Sequence, residues 1–214
     1  MVHRGGGPAR PGPAAAHAPP GARPGPVGPD GVRLSASCRS FGGVCSVDYQ
    51  ITIPSRFRVK ADSSGGSITV RGVSGAIDAD SSGGSVTLDD TTGDVHASSS
   101  GGGITVADAA GSVELKSSGG GIEGDRLRGP QARADSSGGG VRLTFTTPPD
   151  LVDARSSGGG VDVRLPRVDG GYRVDASSSG GDHTVDVPAD PASRRQVTAT
   201  SSGGDVHVSP TEGG

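Results

Sequence analysis

Serine hydroxyls can act as nucleophiles, and this chain repeats one serine setting throughout: Ser-Ser-Gly-Gly occurs eight times, beginning at Ser63, Ser81, Ser99, Ser117, Ser136, Ser156, Ser178 and Ser201. A serine nucleophile needs a base, and the base needs an orienting acid. Eight equivalent copies with no matched histidine and acid predict a structural corner instead. Each leading serine is grouped with the first glycine after it: Gly65, Gly83, Gly101, Gly119, Gly138, Gly158, Gly180 and Gly203.

Other reactive types are sparse. Asp62 and Asp80 fall at the same place in successive repeats, where paired carboxylates could serve polysaccharide chemistry or hold a cation weakly. The same column continues with Ser98, Lys116, Asp135 and Arg155, which favours a solvated charged row. His183 and His207 sit at different offsets and do not stack as paired ligands, so they are expected on the surface or in an end coil. No catalytic, cofactor-binding or metal-binding residue is assigned. Cys38 and Cys45 enclose six residues, and a disulfide there would staple the first coil and imply an oxidising compartment. Two reduced cysteines in a cap are the other reading, and the spacing alone makes no metal site.

The elements that position these residues follow from the repeat. Successive periods are 18, 18, 18, 19, 20, 22 and 23 residues, the mark of a solenoid whose units bury their apolar faces against neighbours. Four places before each corner stand Val59, Ile77, Val95, Val113, Ala132, Val152, Val174 and Val197; two places before it the residue is alanine in seven copies and Leu115 in the other. Alternation with polar residues makes these the inward face of a strand. A second strand follows, with Ile68, Val86, Ile104, Ile122, Val141, Val161, His183 and Val206 five places after the first serine. The spacing across the corner is odd, so the chain must bend there, and repeated glycine predicts a positive φ. Length variation falls on the opposite corner, which also holds Pro130, Pro148, Pro149, Pro166, Pro188 and Pro191.

The predicted fold is therefore all-β: a parallel β-helix-like β-solenoid of about eight coils, roughly 35 to 40 Å long at about 4.8 Å per coil. Residues 1–31 hold eight prolines and eight glycines without apolar periodicity and are predicted to form a disordered arm. A cap with the first strands is expected over 32–58, solenoid repeats over 59–208 and a disordered tail over 209–214. The arm has no signal-peptide-like core, Ala14–Ala16 being its longest apolar stretch, and nowhere is there a run long enough to span a bilayer. As written, the chain is expected in the cytoplasm, unless its first thirty residues are a wrongly assigned start that hides a leader.

The stretch from Cys38 to Pro54, CRSFGGVCSVDYQITIP, leads into a basic strand and the first Ser-Ser-Gly corner; Tyr172-Arg-Val-Asp-Ala precedes a later one. This pattern, over about residues 32–208, resembles a bacterial β-strand-repeat family of unknown function whose members carry the label adhesin by analogy. The resemblance implies a repetitive β domain carried outside the membrane, with no established catalytic residues. The family's usual anchor is not read in the sequence as written, which leaves the location, more than the fold, the open expectation.

A net charge of −3 with 18 dispersed arginines favours neither nucleic acid nor an anionic membrane as partner. Five aromatic residues, Phe41, Tyr49, Phe57, Phe145 and Tyr172, are too few for the stacking platforms that sugars use. The expected function is a non-enzymatic surface module, adhesive or structural, associated with the cell envelope. Any recognition of a cell-surface or protein partner is expected in the lengthening corners from Thr146 to Gln196. A cytoplasmic scaffold that self-associates through the solenoid ends is the alternative, and a polysaccharide-active enzyme comes third.

Overall fold

The computed structural model describes residues 15–17, 23–28, 31–35 and 50–211, with side chains from residue 51 onward. The chain divides into two compact units, Met1–Phe57 and Arg58–Gly214. In the first unit β1 (Ala15–His17) pairs antiparallel with β4 (Gln50–Thr52), and β2 (Arg23–Gly28) with β3 (Gly31–Ser35). Parts of the proline-rich arm thus carry strand backbone. Cys38 and Cys45 lie outside the described residues.

The second unit is a parallel β-solenoid of eight coils, each made of one strand before its Ser-Ser-Gly-Gly corner and one after. In chain order the coils are β5 (Val59–Ser63) with β6 (Ile68–Val73), β7 (Ile77–Ser81) with β8 (Val86–Thr91), β9 (Val95–Ser99) with β10 (Ile104–Ala109), and β11 (Val113–Ser117) with β12 (Ile122–Leu127). There follow β13 (Gln131–Ser136) with β14 (Val141–Phe145), β15 (Leu151–Ser156) with β16 (Val161–Leu165), β17 (Arg173–Ser178) with β18 (His183–Val185), and β19 (Gln196–Ser201) with β20 (Val206–Pro210). Two eight-stranded parallel sheets result, one from the strands before the corner and one from those after it.

The core lies between the sheets and follows the predicted columns. Ile77, Val95, Val152 and Val197 are buried from the first sheet, and Val86, Ile104, Val161 and Val206 from the second. Full burial of a side chain such as Ile104 or Leu88 contributes about 1.5–3 kcal/mol. Alanine in the column next to the corner is nearly inaccessible at Ala79, Ala97, Ala154 and Ala199. A small side chain suits a position this close to the corner, where the chain turns from one sheet into the other.

Stacking departs from chain order at one end. The sheet orders run β15-β19-β17 and β16-β20-β18, so the eighth coil is inserted between the sixth and the seventh, and the seventh is outermost. The sequence, read column by column, predicts simple succession. Two physical reasons favour the insertion. His183 occupies an inward position that is apolar in every other coil; in the outermost coil it stays exposed while Val206 is buried in its place. Insertion also puts Thr198 between Asp153 and Asp175, which succession would have set side by side as like charges.

The long corners are the route of this crossover. Residues 166–172 carry the chain past one vacant level and 186–195 bring it back. Tyr172, completely buried, fastens the two segments: its hydroxyl donates to the Pro166 carbonyl at 2.8 Å, its N–H donates to the Pro188 carbonyl at 3.0 Å, and its carbonyl accepts from Asp190 N at 2.8 Å. The Ser193 hydroxyl donates to the Gly171 carbonyl at 2.9 Å. The two longest of these corners therefore have a topological cause.

Candidate functional site

Each leading serine of the corner tetrapeptide continues the inward face of its strand. Ser81, Ser99, Ser117, Ser136, Ser156 and Ser201 are all buried. Ser136 Oγ accepts from Gly139 N at 3.1 Å within its own coil and donates to the Gly120 carbonyl of the preceding coil at 2.9 Å. The same pair of bonds recurs at Ser81, Ser99, Ser117, Ser156, Ser201 and Ser178. Donation follows spatial order, Ser201 to Gly159 and Ser178 to Gly204, and so traces the inserted coil independently of the strand ladders. Ser63, in the first coil, accepts from Gly66 N at 2.9 Å. Apart from Ser63, these hydroxyls form a hydrogen-bonded ladder along the corner, each one both donating and accepting.

The glycines of the corner are required for a reason other than the one predicted. None has a positive φ; among the described residues the glycines that do are Gly72, Gly170 and Gly171. A Cβ at Gly139 would lie 2.3 Å from Gly121 N, and one at Gly102 or Gly159 would meet the preceding coil's backbone at 2.6 or 2.4 Å. Coils stacked at strand spacing leave no space for a methyl group there. At the next place the first coils carry Ser67 and Ser85, the middle coils Gly103, Gly121, Gly140 and Gly160, and the inserted coil Asp205, so that column admits side chains. The middle glycines form the floor of an open groove of about 600 Å³, flanked by Thr105, Glu123, Arg142, Asp162 and His207.

A second set of special positions escaped sequence reasoning. Gly72, Asp90, Asp108 and Arg126 occupy equivalent places in the first four coils, with φ between 49° and 66°. Each belongs to a two-residue bulge between inward positions, such as Leu88 and Thr91. The next coil drops one residue and goes directly from Leu143 to Phe145, which shifts the pairing register of β12 against β14. The signal was the spacing of three between inward residues in the first four coils and of two in the next.

Charged residues face outward in rows. Lys60 Nζ lies 3.1 Å from Asp78, 3.5 Å from Asp62 and 4.0 Å from Asp80, so the aspartate pair considered for catalysis or cation binding shares one ammonium with Asp78. Lys60 is held protonated by its hydrogen bond to Asp78 and by the charges of Asp62 and Asp78. Glu114 pairs with Lys116 at 2.6 Å, and chiefly this bond lowers its pKa. Arg126 donates through Nε to both carboxylate oxygens of Asp108, at 3.0 and 3.1 Å, and holds that carboxyl below its ordinary range. His207 is 3.7 Å from Asp186, whereas His183 lies exposed on the outermost strand. Among the described residues no cluster of three or more His, Cys, Asp or Glu side chains is arranged to hold a metal ion. Nor, among them, is any helix long and apolar enough to cross a membrane.

Fold and corner together define a β-solenoid repeat protein whose coils are locked by a buried serine–glycine ladder and covered by ion-paired rows. The family model described as Toastrack DUF4097, a domain of unknown function, matches residues 45–212, and the chain belongs to that family. No match was found among curated proteins or among solved structures.

Proposed function

We propose that this protein is a non-enzymatic structural module of the bacterial cell envelope, a stiff rod that offers its charged faces to surface partners. The observation that carries this reading is the use of its chemistry-bearing side chains: the repeated serines are buried in the corner ladder, and the carboxylates of the outer rows are largely held by lysine and arginine. Rows of mixed sign extended over many coils suit broad, salt-sensitive contact with a partner surface rather than capture of a small substrate. Adhesion is the recognition such a surface would serve, and with the crossover occupying residues 186–195 the sheet faces are its place.

The test is labelling of intact native cells with a membrane-impermeant amine reagent, followed by peptide mapping. Lys60 and Lys116 have side chains 60% and 58% exposed and are the chain's only two lysines. Labelling of both before lysis is the expected result. Label that enters only after lysis overturns the envelope assignment. A self-assembling scaffold is the second reading, favoured by the exposed strands of the outermost coil.

A further inference from the structure

We infer that the solenoid stacks head to tail on a second copy of itself, the first coil of one molecule continuing the outermost coil of another in the same register. This inference rests on the end coils and stands whether or not the envelope assignment holds.

Among the described residues, both ends of the solenoid stop in the middle of a pattern. Among the described residues Ser63 Oγ donates to no carbonyl, while every other corner serine donates to the second glycine of the neighbouring coil. At the far end the equivalent acceptor, the Gly181 carbonyl, receives no serine of the described residues. The backbone ladder is truncated in the same way. Val161 N donates to the Asp205 carbonyl and Val206 N to the Asp182 carbonyl, so His183 N is the next donor, and the Ser67 carbonyl of another molecule is its counterpart. Likewise Ser202 N donates to Ser156 and Ser179 N to Ser201, which leaves Ser64 N to meet the Ser178 carbonyl.

Side chains agree with this register. Stacking places Asp175 beside Lys60 and Asp186 beside Arg71, two opposite-charge neighbours; Arg173 beside Arg58 is the one like-charge pair. Thr184 meets Thr69. The apolar columns are left partly open at both ends: Val59 and Ala61 at one, Val174 and Ala176 at the other, with Val185 36% exposed. A second copy would complete their burial, as neighbours do in the middle of the stack.

The first coil also keeps glycines that its own neighbours do not require. A Cβ at Gly65 would meet nothing within 4 Å among the described residues, and one at Gly66 only Ser63 Oγ at 3.4 Å; the equivalents Gly138 and Gly139 would strike backbone at 2.6 and 2.3 Å. The arriving end coil would make the same close approach to Gly65 and Gly66.

Sedimentation and electron microscopy of the full chain, in reductant to exclude crosslinks through Cys38 and Cys45, test the inference over a range of concentrations. The expected result is concentration-dependent rods that lengthen by about 38 Å for each added eight-coil solenoid. Gly66→Val is expected to leave the far-ultraviolet spectrum and thermal melting unchanged and to abolish the rods. Lys60→Asp should weaken assembly, and the further change Asp175→Lys should restore it. A chain that stays monomeric at high concentration overturns the inference, as do rods that survive unaltered in folded Gly66→Val. Membrane-impermeant labelling reports separately on the envelope reading.

Discussion

The two corners of each coil obey different rules. The Ser-Ser-Gly-Gly corner has the same length in all eight coils, a buried serine in each interior coil and glycines packed on the backbone below; the opposite corner ranges widely in length and carries most of the solenoid's prolines. Where every coil must touch the next at strand spacing, the repeat admits almost no change. Where the chain only has to travel from one level to another, length is free, and at 166–172 and 186–195 that freedom lets one coil be inserted out of order.

The insertion is also where the contrast breaks most visibly. Cysteines at positions 153 and 198, on adjacent parallel strands, fall within the Cα separation that a disulfide spans, whereas 153 and 175 are two strands apart. Asp153→Cys with Thr198→Cys should therefore oxidise to the linked pair, identified by peptide mapping, and Asp153→Cys with Asp175→Cys should not. The opposite pattern would mean that the coils stack in simple succession.

Tyr172 sets the energetic scale of the variable corner. Tyr172→Ala should cost about 3–5 kcal/mol through the cavity left in a fully buried site, with the largest gain in hydrogen exchange over 166–195. Tyr172→Phe, which removes only the bond to Pro166, should cost about 1 kcal/mol. Equal effects in denaturant unfolding would show that the hydroxyl, rather than the ring, holds the crossover.

At the invariant corner, Gly139→Ala should destabilise by about 1–3 kcal/mol, since the methyl meets the Gly121 backbone at 2.3 Å and neither side can give way cheaply. Gly103→Ala, with its methyl 3.0 Å from the Gly121 carbonyl in a column where other coils carry serine or aspartate, should cost under about 1 kcal/mol. Comparable losses in both would remove coil-to-coil approach as the reason for glycine.

Much of this architecture could be read from residue order alone, because a period-two apolar pattern interrupted by one fixed motif leaves few folds open. The columns through Ile77, Ile104 and Val152 are inward as their spacing predicts. Stacking order was less accessible: a column is the same set of residues however its coils are ordered, and only His183 and the Asp153–Asp175 conflict hinted at the insertion. Glycine was read as a marker of positive φ because a single chain segment says nothing about the backbone packed beneath it. The left-handed column through Asp90, Asp108 and Arg126 was missed for a related reason, since none of these residues advertises that conformation as glycine does. At the candidate site, the aspartate pair was visible, and so was Lys60 two places before Asp62; that the same ammonium also comes within 4.0 Å of Asp80 on the neighbouring strand depends on where the side chain reaches, which residue order does not carry.

The smallest effect belongs to that bulge column and separates the early coils from the later ones that lack it. Arg126 lowers the Asp108 pKa mainly through its hydrogen bonds, against a smaller opposing contribution from burial. A carboxyl whose folded pKa lies below its unfolded value of 3.8 stabilises the fold fully above that value and loses the contribution as pH falls through the folded one. Wild type should therefore exceed Asp108→Asn in stability at neutral pH, and the gap should close as pH is lowered below 3.8. The pair is solvent-exposed, so 1 M salt should shrink the gap as well. A gap independent of both pH and salt would trace instead to the left-handed backbone at Asp108, where asparagine and aspartate are similarly tolerated, and the ion pair would then be a consequence of the bulge and not one of its supports.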